Sequence, residues 1–267
     1  MKNNTLNVPV SIEGEEFYNN NLSDALSNCQ KQHSPLFMPS LIDARIYSPK
    51  GARIWQSRYD SVSARVTGKT KAGNAVVVYA HIPNYLAKPK NIEKAKKQKL
   101  VNGAGIVPQN EFQRLLDLED GLNVFAVDNN TLNSSTSGVV AIKDALKHPQ
   151  TIPFIGNEAR AEAYLKRFEE VYGNKIGIWH CNDLGEQPLG RLLYVGSNYC
   201  YFGDGLIGGR DLGRSGRFVG VRKKSAEGAS QKVLPIPNKR QLGRVIKEFV
   251  APCNASELEK RLDELYK

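Results

Sequence analysis

The sequence predicts an α+β fold, a mixed and mainly antiparallel sheet with flanking helices and two C-terminal helices. Three observations carry this. Ala75–Ile82 (AVVVYAHI) is a short β-branched apolar run behind a glycine-bearing turn, which marks a buried strand. Asn157–Gly173 places Ala161, Tyr164, Leu165, Phe168, Val171 and Tyr172 on one helical stripe between a capping asparagine and a closing glycine. Further strand-like runs, Lys175–His180, Arg191–Val195 and Arg217–Val221, follow that helix without the regular helix–strand alternation of a parallel α/β chain.

Taken in order, residues 1–35 are polar and asparagine-rich, with Leu22, Ala25 and Leu26 supporting a short helix at most, and are expected as an N-terminal arm. A main α+β domain is expected over 36–234. Leu36–Ile82 reads as β structure: Arg53–Val66 alternates loosely, Thr67–Asn74 (TGKTKAGN) turns the chain, and Ala75–Ile82 returns, giving a hairpin with Lys69 and Lys71 at its tip. Pro83 and Pro89 break the chain before a lysine run that reads as a short exposed helix or a loop. Pro108 opens a helix over Gln109–Glu119, Gly121 stops it, and Leu122–Val127 is a strand. Asn133–Gly138 is a polar loop before a short helix that ends ahead of Pro149. Pro235 and Pro237 mark a linker to a C-terminal helical element, 235–267, whose last helix opens on the capping box Ser256–Glu259.

The chain has 267 residues, enough to bury a sizeable core, and a composition that excludes collagen-like, low-complexity and fully disordered classes. No apolar stretch reaches the ~18 residues a bilayer span needs, and the N-terminus has no apolar signal region, so a cytoplasmic protein without a membrane partner is expected. Cys29, Cys181, Cys200 and Cys253 form no CxxC pair and the four histidines are scattered, so no metal site and no disulfide framework is assigned. No cofactor is assigned either, and self-association stays open.

Lys+Arg exceed Asp+Glu by 37 to 27. The excess sits in two segments: six lysines against Glu93 between Lys88 and Lys99, and six cations against Asp211 between Arg210 and Lys224. Concentrated cations displace condensed counterions from a polyanion, which points to nucleic acid as partner, whereas a solvated face kept for solubility is the plainer alternative. The candidate nucleic-acid contacts are Lys69, Lys71, Lys94, Lys96, Lys97, Arg210, Arg214, Arg217, Arg222, Lys223 and Lys224. Tyr199 and Tyr201, beside the arginine run, are candidates for stacking bases, or else belong to the core.

GDGLIG, Gly203–Gly208, satisfies G-x-G-x-x-G but no helical pattern follows it, so it reads as a glycine-rich basic loop. His180 and Asp183 are the candidate acid–base pair, since an aspartate three residues on can orient an imidazole; a hydrogen-bonded strand-end histidine is the alternative. Asp43, Asp60, Asp117 and Asp120 read as turn and surface acids. Gly177-Ile178-Trp179 followed by Tyr194-Val195-Gly196 is similar to the paired-strand signature of the GIY-YIG nucleases, with Trp179 in place of the first tyrosine and a glycine-rich loop in place of the expected helix. That resemblance implies a catalytic Tyr194, with Arg210 or Arg214 and Glu248 behind it. The function expected from all of this is a basic nucleic-acid-binding protein that also processes its target as a nuclease- or glycosylase-type hydrolase. The alternative is a non-catalytic structural or assembly protein whose basic surface faces nucleic acid.

Overall fold

The computed structural model describes residues 4–8, 12–197 and 205–222 of the chain. All fall in the first of two units, Met1–Lys223; the second, Lys224–Lys267, lies outside them, and with it the expected linker, the C-terminal helices and Glu248. In chain order the elements are β1 (Asn4–Val8), β2 (Ile12–Asn19), α1 (Leu22–Gln32), β3 (His33–Pro35), α2 (Met38–Ile46), α3 (Arg53–Gln56), β4 (Tyr59–Lys69) and β5 (Ala75–Ala80). After a 3-10 turn at Tyr85–Ala87 come α4 (Pro89–Lys97), β6 (Gly105–Ile106), α5 (Gln109–Asp117), β7 (Val124–Asp128), α6 (Asn129–Ser134), β8 (Gly138–Ala141), α7 (Ile142–Ala145), α8 (Thr151–Ile155) and α9 (Glu158–Tyr172). The last four are β9 (Lys175–Trp179), β10 (Leu189–Val195), β11 (Gly205–Ile207) and β12 (Gly216–Arg222).

The class is the α+β one predicted. One mixed sheet runs β1-β2-β12-β4-β10-β11-β9-β8, with β5 and β7 branching from β4, β3 on β12 and β6 on β10. Its ladders are antiparallel except β11–β9 and a single-residue contact of β12 with β4. Both faces are covered, which is why β5 is apolar at every position: Val77 and Tyr79 enter one core while Val78 and Ala80 enter the other. On the first face α2, α8 and α9 pack Met38, Leu41, Phe154, Tyr164 and Phe168 around Trp55, whose indole stacks on Tyr164 at 5.8 Å. On the second, Leu22 and Leu26 of α1, Ile92 of α4 and Phe112 of α5 cover Val62, Ala64, Val66 and Phe218.

Local signals place the helices. Asn157 accepts from the Arg160 N–H at the start of α9 and Gly173, at φ 94°, ends it; Asn21 does the same for α1 through the Ser23 N–H. Three expectations change. Residues 38–46, read as β, are helical because Pro39 fits a first turn and the helix buries Leu41, Ile42 and Ala44 together, and 53–56, read as the start of a strand, form the short α3 that buries Ile54 and Trp55, so that β4 begins at Tyr59. The segment 1–35, read as an arm, supplies β2, α1 and β3, and β2 pairs with β12 from Asn19↔Gly216 to Gly14↔Val221.

Candidate functional site

Strands β4 and β10 place Arg65 directly opposite Arg191 in the sheet. Both side chains are buried, and both turn to one carboxylate, Asp183, from the segment after β9. Arg65 Nη1 lies 2.7 Å from Asp183 Oδ2; Arg191 holds the same group bidentately, Nε to Oδ2 at 2.7 Å and Nη2 to Oδ1 at 2.9 Å. One acid against two guanidiniums leaves a positive excess, and backbone carbonyls disperse it: Arg65 donates to Cys181 O, and Arg191 to Asn102 O at 2.6 Å and Gly209 O at 3.5 Å. A single arginine thus ties together three surface loops, 98–104, 180–188 and 208–215. A fourth tie runs from the Leu212 N–H to Gly103 O at 2.9 Å. Gly103, at φ +84°, is required there, because a Cβ would lie 2.7 Å from Asp211 Cγ.

By the two-residue alternation of β4, the opposite face carries Asp60 with Val62, Ala64 and Val66. Asp60 is buried; Arg210 Nε stands 2.8 Å from its Oδ1 and the Arg217 N–H donates to its Oδ2 at 2.8 Å. Burial pushes the Asp60 carboxyl up, and Arg210 and the Arg217 N–H oppose the shift. The Arg210 guanidinium also lies over the Tyr194 ring at 5.2 Å, and burial raises that phenol. Arg217 pairs with the buried Glu16, which accepts as well from Tyr59 Oη at 2.8 Å and from Arg53 at 3.3 Å, and its guanidinium covers Tyr18 at 4.8 Å.

These contacts redistribute the candidate residues. His180 and Asp183 do not form a pair: the carboxylate is taken by Arg65 and Arg191, while His180 Nδ1 is buried without a hydrogen-bond partner. The His180 ring sits 6.0 Å from His148, and burial, then the neighbouring His148, hold it down at about 4, so it is neutral near pH 7. Tyr194 is held beneath Arg210, and the two tripeptides that resemble the GIY-YIG signature are not on paired strands, because β11 lies between β9 and β10. The stretch read as a glycine-rich loop contains β11, where Gly205 must be glycine: a Cβ would stand 1.9 Å from Gly177 O.

The arginine run divides. Arg210 and Arg217 serve buried acids, whereas Arg214 and Arg222 are exposed, 3.3 Å from Asp211 and 3.5 Å from Glu15. Lys69 and Lys71 are exposed at the hairpin tip as expected; on α4, Lys94 and Lys97 are exposed and Lys96 pairs with Glu93 at 2.9 Å. Tyr199, Tyr201, Lys223 and Lys224 lie outside the described residues. Among the described residues no three His, Cys, Asp or Glu side chains cluster to hold a metal, and no helix is long and apolar enough to cross a membrane.

Of the residues that organise the site, Arg65, Arg191 and Glu16 were not among the candidates, and Asp60, read as a turn or surface acid, is buried against Arg210. Their signal was an arginine or aspartate inside an otherwise apolar strand, Ala64-Arg65-Val66 or Gly190-Arg191-Leu192, since a charge there needs a buried partner.

No protein-family model and no curated protein matches the chain. A solved structure does: a nanoarchaeotal protein described as the accommodation of massive sequence variation by the C-type lectin fold, 54% identical, with a TM-score of 0.76, over 80% of this chain and 99% of that one. This overturns the reading of a nucleic-acid-binding hydrolase, of nuclease or glycosylase type, and leaves a nucleic-acid partner without support. The chemistry agrees, because the arginines that were to grip phosphate are in part spent on Asp60 and Glu16. At that identity, and with nearly the whole of the other chain matched, the chain belongs to the family of C-type lectin fold proteins.

Proposed function

We propose that this chain is a binding protein that presents a sequence-variable recognition surface on a C-type lectin fold. The observation that carries the reading is the 54% identity to a protein described as accommodating massive sequence variation by that fold. The geometry supports it through a division of labour. Asp183, Arg65 and Arg191 fix the loops 98–104, 180–188 and 208–215 from beneath through buried side chains and backbone carbonyls. Above them Val101, Asn102, Leu184, Glu186, Gln187 and Arg214 are exposed. Loops held through their backbone keep their course whichever side chains they display, and a recognition surface on a rigid scaffold needs that property.

The test is a pair of display libraries, one randomised at those six exposed positions and one at exposed positions of α9, each panned against unrelated folded proteins. The loop library is expected to keep its expression and yield binders where the helix library does not. Equal yields from both, or collapse of the loop library on expression, would refute the reading.

A further inference from the structure

Between α1 and α4 the surface opens into a groove of about 510 Å³ lined by Ser23, Asp24 and Ser27 on one wall and Pro89, Lys90, Glu93, Lys94 and Lys97 on the other. Its charge is unbalanced. Glu93 is engaged within the protein by Ser23 Oγ and by Lys96 at 2.9 Å, contacts that hold its carboxyl below the usual range. Lys90, Lys94 and Lys97 have no ion-pair partner among the described residues, and the one remaining acid of the lining is the exposed Asp24.

We infer that this groove docks an extended acidic peptide segment of a partner protein. The lysines follow one another along one helix face, with Lys90 and Lys94 about 6 Å apart along the axis. Alternate side chains on one face of an extended peptide repeat at about 6.6 Å, close to the Lys90–Lys94 spacing, and the shorter rise of about 4.5 Å from Lys94 to Lys97 is taken up by the flexible lysine stem. The lining contains neither an aromatic ring to stack a base nor an arginine to fork onto a phosphate, the two groups a nucleic-acid groove relies on. Ammonium groups on flexible stems are point charges that accept a carboxylate from many directions, and the rotatable Ser27 hydroxyl and the Pro89 ring suit a peptide backbone alongside. The inference stands apart from the proposed recognition surface, since it uses none of the loops tied by Arg191.

The experiment is fluorescence anisotropy on the full chain with a short labelled peptide alternating glutamate and serine, against a peptide of the same composition with its glutamates in one block, and with duplex DNA as competitor. The alternating peptide is expected to bind more tightly than the blocked one. The variant Lys90→Glu, Lys94→Glu, Lys97→Glu is expected to lose about tenfold in affinity. The variant with the same change in net charge, Lys143→Glu, Lys147→Glu, Lys166→Glu, is expected to stay within about twofold, because those lysines act only through the screened overall field. Equal loss in both variants, equal affinity for the two peptides, no binding of either, or tighter binding of duplex DNA through the α4 lysines would each overturn the inference.

Discussion

Replacing Asp183 by asparagine keeps the size and shape of the side chain and removes the carboxylate that the buried guanidiniums of Arg65 and Arg191 share. The Arg65 side chain is fully buried and that of Arg191 is 3% exposed, so neither can recover hydration without opening the loops above it. Removing one partner of a buried ion pair typically costs about 3–5 kcal/mol, and two stranded cations place this case at the upper end. For a unit of this size each kcal/mol lowers the melting temperature by about 2–4 °C, so Asp183→Asn should melt about 10–20 °C below the parent in a calorimetric scan. The companion variant, Asp183→Leu with Arg65→Met and Arg191→Met, removes the charges together and should recover most of that loss, as uncharged replacements of buried ion clusters often do. Hydrogen exchange adds an independent check: the triple variant should regain global stability while amides of 100–104 and 208–212 exchange faster, because the ties from Arg191 to Asn102 O and Gly209 O are gone. A single Asp183→Asn variant melting within about 2 °C of the parent would refute the account of the clamp.

Arg210→Ala should destabilise the fold by about 2–4 kcal/mol in urea titration, since it leaves the buried Asp60 without its cation, Arg217→Ala by less, because Glu16 keeps Arg53 and Tyr59, whereas Arg214→Ala and Arg222→Ala should stay within about half a kcal/mol. Four equal effects would show that the division of the arginine run is wrong. Burial holds His81 and His180 at about 4 and lowers His148 too. The folded protein therefore binds fewer protons than the unfolded chain between about pH 6.5 and 4, and stability complete above that window is lost as pH falls through it. Nearly buried His81 alone accounts for about 3 kcal/mol, and half-exposed His180 adds less because solvent screens it; a urea midpoint no lower at pH 5 than at pH 7 contradicts this. Gly205→Ala, which drives a methyl into Gly177 O, should cost about 3 kcal/mol or prevent folding. Gly51→Ala, whose Cβ meets open space, should be near neutral, and similar losses at both would argue against the parallel β9–β11 contact.

What the sequence made legible is what short-range chemistry determines. The capped helix Glu158–Tyr172, the hairpin of β4 and β5 and the strands β9, β10 and β12 follow from caps, turns and apolar runs within a few residues of one another. Helix α2 was missed because its boundary signal is a proline that also suits extended chain, and its preference is settled by packing on α8 and α9. The site was illegible for a different reason. Arg65 and Asp183 are 118 positions apart, and Arg217 and Glu16 are 201 apart, so no local pattern joins them. Counting charges along the chain gave Arg210 and Arg214 equal weight, although the side chain of the first is 5% exposed and that of the second 75%.

That inequality changes what the excess of ten positive charges means. Arg45, Arg65, Arg191 and Arg210 are all buried. Arg45 has its guanidinium on the carbonyls of Ser57 and Gly196 and on Tyr164 Oη, with no acid among those partners. Set against the buried Glu16, Asp60 and Asp183, those four arginines leave one charge of the formal excess inside the protein, on backbone dipoles, and Arg217 is likewise spent on Glu16, so these arginines do not reach a ligand. Among the described residues the cations without an acidic partner include Lys90, Lys94 and Lys97 of α4 and Lys69 and Lys71 of the hairpin tip, whereas Arg214 and Arg222, though exposed, lie against Asp211 and Glu15. A strongly basic composition indicates a polyanionic partner only after the buried arginines have been subtracted. In this fold the subtraction moves the positive surface away from the glycine-flanked arginines, where the sequence concentrates it, and toward exposed lysines such as those of α4 and the hairpin tip.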